Sequence, residues 1–71
     1  MNWIFVHAGY YRATSPDTRD EYTIRTRPKG DGWMSINDTE GIVLATGQSI
    51  REAKLTCESY DRNVAESMTT N

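Results

Sequence analysis

The sequence predicts an α+β fold: a small antiparallel sheet of three to five strands, with four the leading count, and one C-terminal helix packed on one face. Three observations carry this expectation. Residues 21–27, EYTIRTR, alternate strictly, as a half-buried strand does. The clusters SPDTRD, PKGDG and NDTE cut the first two thirds of the chain into short β-rich runs. Residues 46–54, TGQSIREAK, then spell out the start of a helix.

Taken in order, WIFVHA is rich in β-branched and aromatic residues and reads as a strand. GYYRAT either continues it past a bulge at Gly9 or begins a second strand. SPDTRD is a loop in which Pro16 fixes φ and Asp17 can bond its own backbone. In EYTIRTR the period of two places Tyr22, Ile24 and Thr26 on one face, and Thr23, Arg25 and Arg27 on a basic outer face. WMSIN and GIVLAT, joined through Asn37, Asp38 and Gly41, read as a hairpin. Gly47 turns the chain out of the last strand. Ser49 at the N-cap and Glu52 three residues on form a capping box, each side chain satisfying a backbone N–H at the other's position. From there Ile50, Ala53, Cys57, Tyr60 and Val64 make one narrow apolar stripe, a helix of three to four turns. Leu55 falls opposite that stripe.

A chain of 71 residues holds one core. The domain is expected over residues 1–66, with residues 67–71 a flexible C-terminal tail. So small a core leaves the monomer marginally stable, which favours a partner chain or self-association. One cysteine excludes an internal disulfide and, with a single histidine, a zinc site built from Cys and His of this chain; a reducing, cytoplasmic setting follows. The apolar run in MNWIFVHAGYY is too short to span a bilayer and lacks the basic flank of a signal peptide, so no membrane role is expected.

Eight basic against ten acidic residues give a net charge of −2, without the positive field of a general nucleic-acid binder. Cys57 and His7 are the only candidates for a thiolate mechanism. Cys57 falls in mid-helix on the buried stripe, and His7 alternates with Trp3 and Phe5 on one strand face, so neither is placed as a nucleophile or a base. The carboxylates Asp17, Asp20, Glu21, Asp38 and Glu40 sit where turn propensity explains them. KGDGW lacks the ending of a phosphate loop. No catalytic residue, cofactor or metal is therefore expected, and the chain reads as no enzyme.

The aromatic residues carry more. One helix covers one face of a sheet, so some rings among Trp3, Phe5, Tyr10, Tyr11, Tyr22, Trp33 and Tyr60 must lie in the open. Beside Arg25, Arg27 and Lys29 they suit either the anchor patch of a protein interface or a platform for single-stranded nucleic acid. The acidic overall charge favours protein. The expected partner-binding residues are Arg25, Arg27 and Trp33 on the sheet side, with Tyr11 and Leu55.

Two resemblances bear on this. In residues 21–61, Asp31–Gly32–Trp33, then Asp38 and Gly41, then Gly47, Ser49, Glu52 and Ala53 resemble the strand–strand–strand–helix pattern of the HicB antitoxin family. Membership would imply neutralisation of a protein toxin. Size, a Trp/Tyr/Thr-rich strand half and the single capped helix also look like the short orphan proteins of bacteriophages, particularly those infecting actinobacteria. That likeness implies binding and redirecting a host protein. The leading expectation is a non-catalytic protein-binding module, plausible as a phage-encoded modulator or inhibitor of a host protein; the alternative is a HicB-like antitoxin or a single-stranded nucleic-acid-binding domain.

Overall fold

Among the described residues five strands and one helix follow one another: β1 (Ile4–His7), β2 (Tyr10–Thr14), β3 (Glu21–Thr26), β4 (Trp33–Asn37), β5 (Ile42–Gln48) and α1 (Ile50–Thr69). The computed structural model describes residues 1–27 and 30–69. The strands form one antiparallel meander in the order β1-β2-β3-β4-β5. The count is five rather than four because Ala8 and Gly9 close a tight turn between WIFVHA and GYYRAT, with Gly9 at φ +81°. Each strand therefore neighbours its predecessor, the connection that short loops favour.

α1 lies across β3, β4 and β5 and leaves the β1–β2 hairpin to one side. Tyr22 and Ile24 of β3 meet Ala53 and Cys57 of α1, all four fully buried, with Tyr11, Trp33, Leu44, Ile50 and Tyr60 packed around them. The capping box forms as its spacing predicts: the Ser49 N–H donates to Glu52 Oε1 at 2.9 Å, and the Glu52 N–H donates to Ser49 Oγ at 3.1 Å. The Ser49 N–H and, after it, the Ser49 hydroxyl favour the ionised carboxylate and hold Glu52 below the usual range.

The helix runs 20 residues, longer than three to four turns. Residues 67–69, expected as the start of a flexible tail, are helical; residues 70 and 71 lie outside the described residues. The buried seam itself runs through Ala53, Cys57 and Asp61. The seam is polar as well as apolar. Ser15, Ser35, Asn37 and Asp61 are all buried. Ser35 Oγ lies 2.6 Å from Gln48 Oε1, whose amide donates to Thr56 Oγ1 at 2.7 Å, stitching β4, β5 and α1 together. Among the described residues no buried side-chain nitrogen or oxygen lacks a partner.

Candidate functional site: the helix-free face of the sheet

Register across the meander sorts the side chains into two faces. Tyr11, Ile24, Ser35 and Ala45 lie in one row, and Ala13, Tyr22, Asn37 and Ile42 in the next; these rows face α1. The opposite face carries a row that crosses all five strands: Ile4, Arg12, Thr23, Ile36 and Val43. Beside it run Tyr10, Arg25 and Met34, with His7 opposite Tyr10 and the two rings 5.1 Å apart. Ile4 and Val43, at the two ends of the long row, are 54% and 55% exposed. Ile36 and Thr23, in its middle, are nearly covered by their neighbours. At one end of the face Thr23 donates to Asp38, and Glu21 follows on the same parity; at the other end stands Arg25. The face thus exposes apolar side chains at both ends of its long row and carries both signs of charge.

The five residues expected to bind a partner do not form one surface. Arg25 is exposed on the helix-free face. Arg27 lies just past β3, where its Nε is 3.6 Å from Asp31 Oδ1 in an exposed pair of small energetic weight. Lys29 lies outside the described residues. Trp33, placed on the sheet side with Arg25, is instead on the helix side: it pairs with Thr26, and Arg25 pairs with Met34. Tyr11 is on the helix side too, its ring 5.9 Å from Trp33, with Lys54 Nζ 4.9 Å above it. Leu55 is 52% exposed on the outer side of α1, as its spacing predicts. Arg12, Tyr10, Ile4 and Val43 were not singled out from the sequence, because the pairing partners of alternating strands are invisible without register.

His7 requires a correction. A register shift between Phe5 and His7 breaks the alternation, so Phe5 packs edge-on against Tyr11 while His7 meets Tyr10 on the other face. Cys57 is buried under the opposite side of the sheet. The two cannot form a thiolate–imidazole couple. Burial pushes the Cys57 thiol up to about 12 from its ordinary 9.0. Desolvation and the neighbouring Asp61 likewise raise Tyr22 well above its ordinary 10.0.

These shifts set an alkaline limit. A group whose proton is held more tightly in the folded state adds stability that is complete below its unfolded value and is lost above it. The Cys57 share therefore begins to fall near pH 9 and goes on falling to about pH 12, at about 1.4 kcal/mol per pH unit. Circular dichroism through that window should show cooperative unfolding, and Cys57→Ala should move its onset up toward the Tyr22 range. Native protein should also leave a thiol reagent unreacted at pH 8.

A third feature lies at the end of the helix seam. Asp61 accepts from Ser15 Oγ at 2.6 Å, Thr18 Oγ1 at 2.6 Å and the Tyr22 hydroxyl at 2.9 Å. Ser15 Oγ in turn accepts the N–H groups of Asp17 and Thr18, and Thr18 Oγ1 that of Asp20. The loop SPDTRD is thus folded around a carboxylate of α1. An adjoining open groove of about 370 Å³ is lined by Pro16, Asp17, Glu58 and Arg62 among others. Its carboxylate Glu58 is already engaged by the Trp3 indole at 3.2 Å. No group of three or more His, Cys, Asp or Glu suited to a metal ion occurs among the described residues. No described helix is long and apolar enough to cross a membrane.

The fold defines a small α+β protein with a five-stranded meander under one helix. No protein-family model matches the chain, and no curated protein or solved structure is significantly similar to it.

Proposed function

We propose that this chain is a non-catalytic protein-binding module whose partner docks on the helix-free face of the sheet. One observation carries the reading: the row Ile4–Arg12–Thr23–Ile36–Val43 crosses every strand, with Ile4 and Val43 exposed at its ends, Arg12 between them, and no described element packed over it. Arginine and aromatic residues next to desolvated apolar positions are the usual anchors of protein interfaces. Glu21 and Asp38 on the same face favour a protein over a phosphate backbone, which carboxylates repel. Taken with the resemblance to phage orphan proteins, the partner is a host protein that the module modulates or inhibits.

The test is a tagged pull-down from lysate, run with and without nuclease. Arg12→Glu/Arg25→Glu should abolish capture of a nuclease-resistant partner, while Leu55→Glu on the outer side of α1 leaves it intact. Capture that survives the double charge reversal would remove the sheet face from consideration. Capture that nuclease destroys and that falls steeply with salt would replace the protein reading with single-strand binding.

A further inference from the structure

The outer edge of the sheet carries a second surface, which shares Ile4 with the first. Among the described residues β1 pairs only with β2, so one side of its backbone faces no other described strand. All four of its residues are exposed, with Ile4 at 54%, Phe5 at 61% and Val6 at 45%. Ile4 projects on the helix-free face and Phe5 on the helix side, so the edge is apolar on both faces. Natural edge strands are normally protected by lysine, by proline, by a covering element or by a strong bulge within the strand. β1 has no Lys, Arg, Asp, Glu or Pro, and α1 stops short of it. Its register shift falls only at the hairpin end.

We infer that β1 is a self-association edge: two copies pair β1 with β1 antiparallel about a two-fold axis at Ile4, doubling the sheet. A strand apolar on both faces is its own complement in this arrangement, because a two-fold axis normal to the sheet keeps each face on its own side. Isoleucine side chains then meet on the helix-free face, and Phe5 joins the Trp3 region of the partner on the other. Charge does not oppose the pairing. The Met1 ammonium is paired with Glu58 at 3.8 Å, and the nearest arginine row is Arg12 on β2, which three strand spacings of about 4.8 Å separate from the partner's Arg12. That separation exceeds the Debye length of about 8 Å at physiological salt.

The other edge, β5, is a poorer mate. Its register shifts twice against β4, between Trp33 and Ser35 and between Ser35 and Ile36, which turns its backbone away from a flat template. Pairing β1 with β5 would also be head-to-tail and would not close. A β1–β1 contact is isologous and stops at two copies. With four residues per strand the interface is small, so the dimer belongs to the weak, concentration-dependent class.

Sedimentation velocity of the full chain from about 1 µM to about 1 mM tests this. The wild type should pass from monomer to dimer within that range. Val6→Lys, which places a charge on the edge, should weaken the dimer at least tenfold with an unchanged circular dichroism spectrum. Val43→Lys on β5 should leave it unaltered. As a readout independent of that variant, Ile4→Cys should oxidise to a covalent dimer, since the axis sets position 4 opposite its own copy and paired antiparallel Cα atoms lie within disulfide reach. A monomer throughout the range would overturn the inference. So would a dimer lost with Val43→Lys but kept with Val6→Lys, or the absence of a cross-link with Ile4→Cys.

Discussion

Asp61→Asn is expected to lower the unfolding free energy by about 3 kcal/mol, as measured by urea denaturation, although it changes a single oxygen to a nitrogen. The reason lies in the donors it faces. Ser15 Oγ spends both lone pairs on the Asp17 and Thr18 N–H groups, so its hydrogen has only Asp61 Oδ2 to reach. An asparagine amide in that place sets donor against donor. Turning the amide round moves the conflict to Thr18 and Tyr22, which both donate to Oδ1. Whichever way it points, a buried donor loses its acceptor. A domain of this size has only about 4–10 kcal/mol of total stability, so the loss is a large share of it. Ser15→Ala should cost less, and the double variant should fall well short of the sum, because both changes break one network.

The second large effect is Gly32→Ala, expected to cost about 3 kcal/mol against about 1 for Gly41→Ala. Both glycines have positive φ, +99° and +70°, a conformation that costs an L-residue about 1–2 kcal/mol. They differ in what a side chain would meet. A Cβ on Gly41 finds open space, whereas one on Gly32 would stand 2.9 Å from the Gly47 carbonyl carbon and 3.1 Å from the Gln48 nitrogen. Those atoms are backbone and cannot swing aside. They also lead directly into the Ser49 cap, so strain there is passed to the start of α1. The difference in denaturation midpoint between the two variants isolates the close approach from the shared dihedral penalty. Equal midpoints would show that the β4 entry and the β5 exit can part without loss.

What could be read from the chain alone depended on how local its cause is. The capping box, the β3 strand and the β4–β5 hairpin are set by residues within a few positions of each other, and all three form, although burial along β3 does not alternate: Thr23 on the helix-free face is covered and Thr26 on the helix side is exposed. The exposed Leu55 follows from the same helical period. The errors arose where one residue of offset decides a face. The bulge after Phe5 moved His7 to the other side, and the pairing of Thr26 with Trp33 took that ring away from Arg25. Asp61 was legible in part: it follows Ala53 and Cys57 at intervals of four, on the buried seam. Its meaning was not, because its partners Ser15 and Thr18 are 46 and 43 residues away, and a polar residue on a helix is by default solvated. The helix-free face was hidden for the same reason, since its rows exist only once five strands share a register.

The position of the Asp61 carboxylate also has a consequence for synthesis. Every strand of the meander leaves the ribosome before the residue that fastens the SPDTRD loop and before the helix that roofs Tyr22 and Ile24. At about 5–20 residues per second, the stretch from β5 to Asp61 takes of the order of one second to emerge. During that interval the nascent sheet shows an uncovered inner face together with the bare Ile-Phe-Val edge, the combination most prone to pairing with a neighbouring chain. Two ribosomes on one message would hold such edges close together, so production of this protein should be more sensitive to translation rate and to chaperone supply than its local topology alone would suggest.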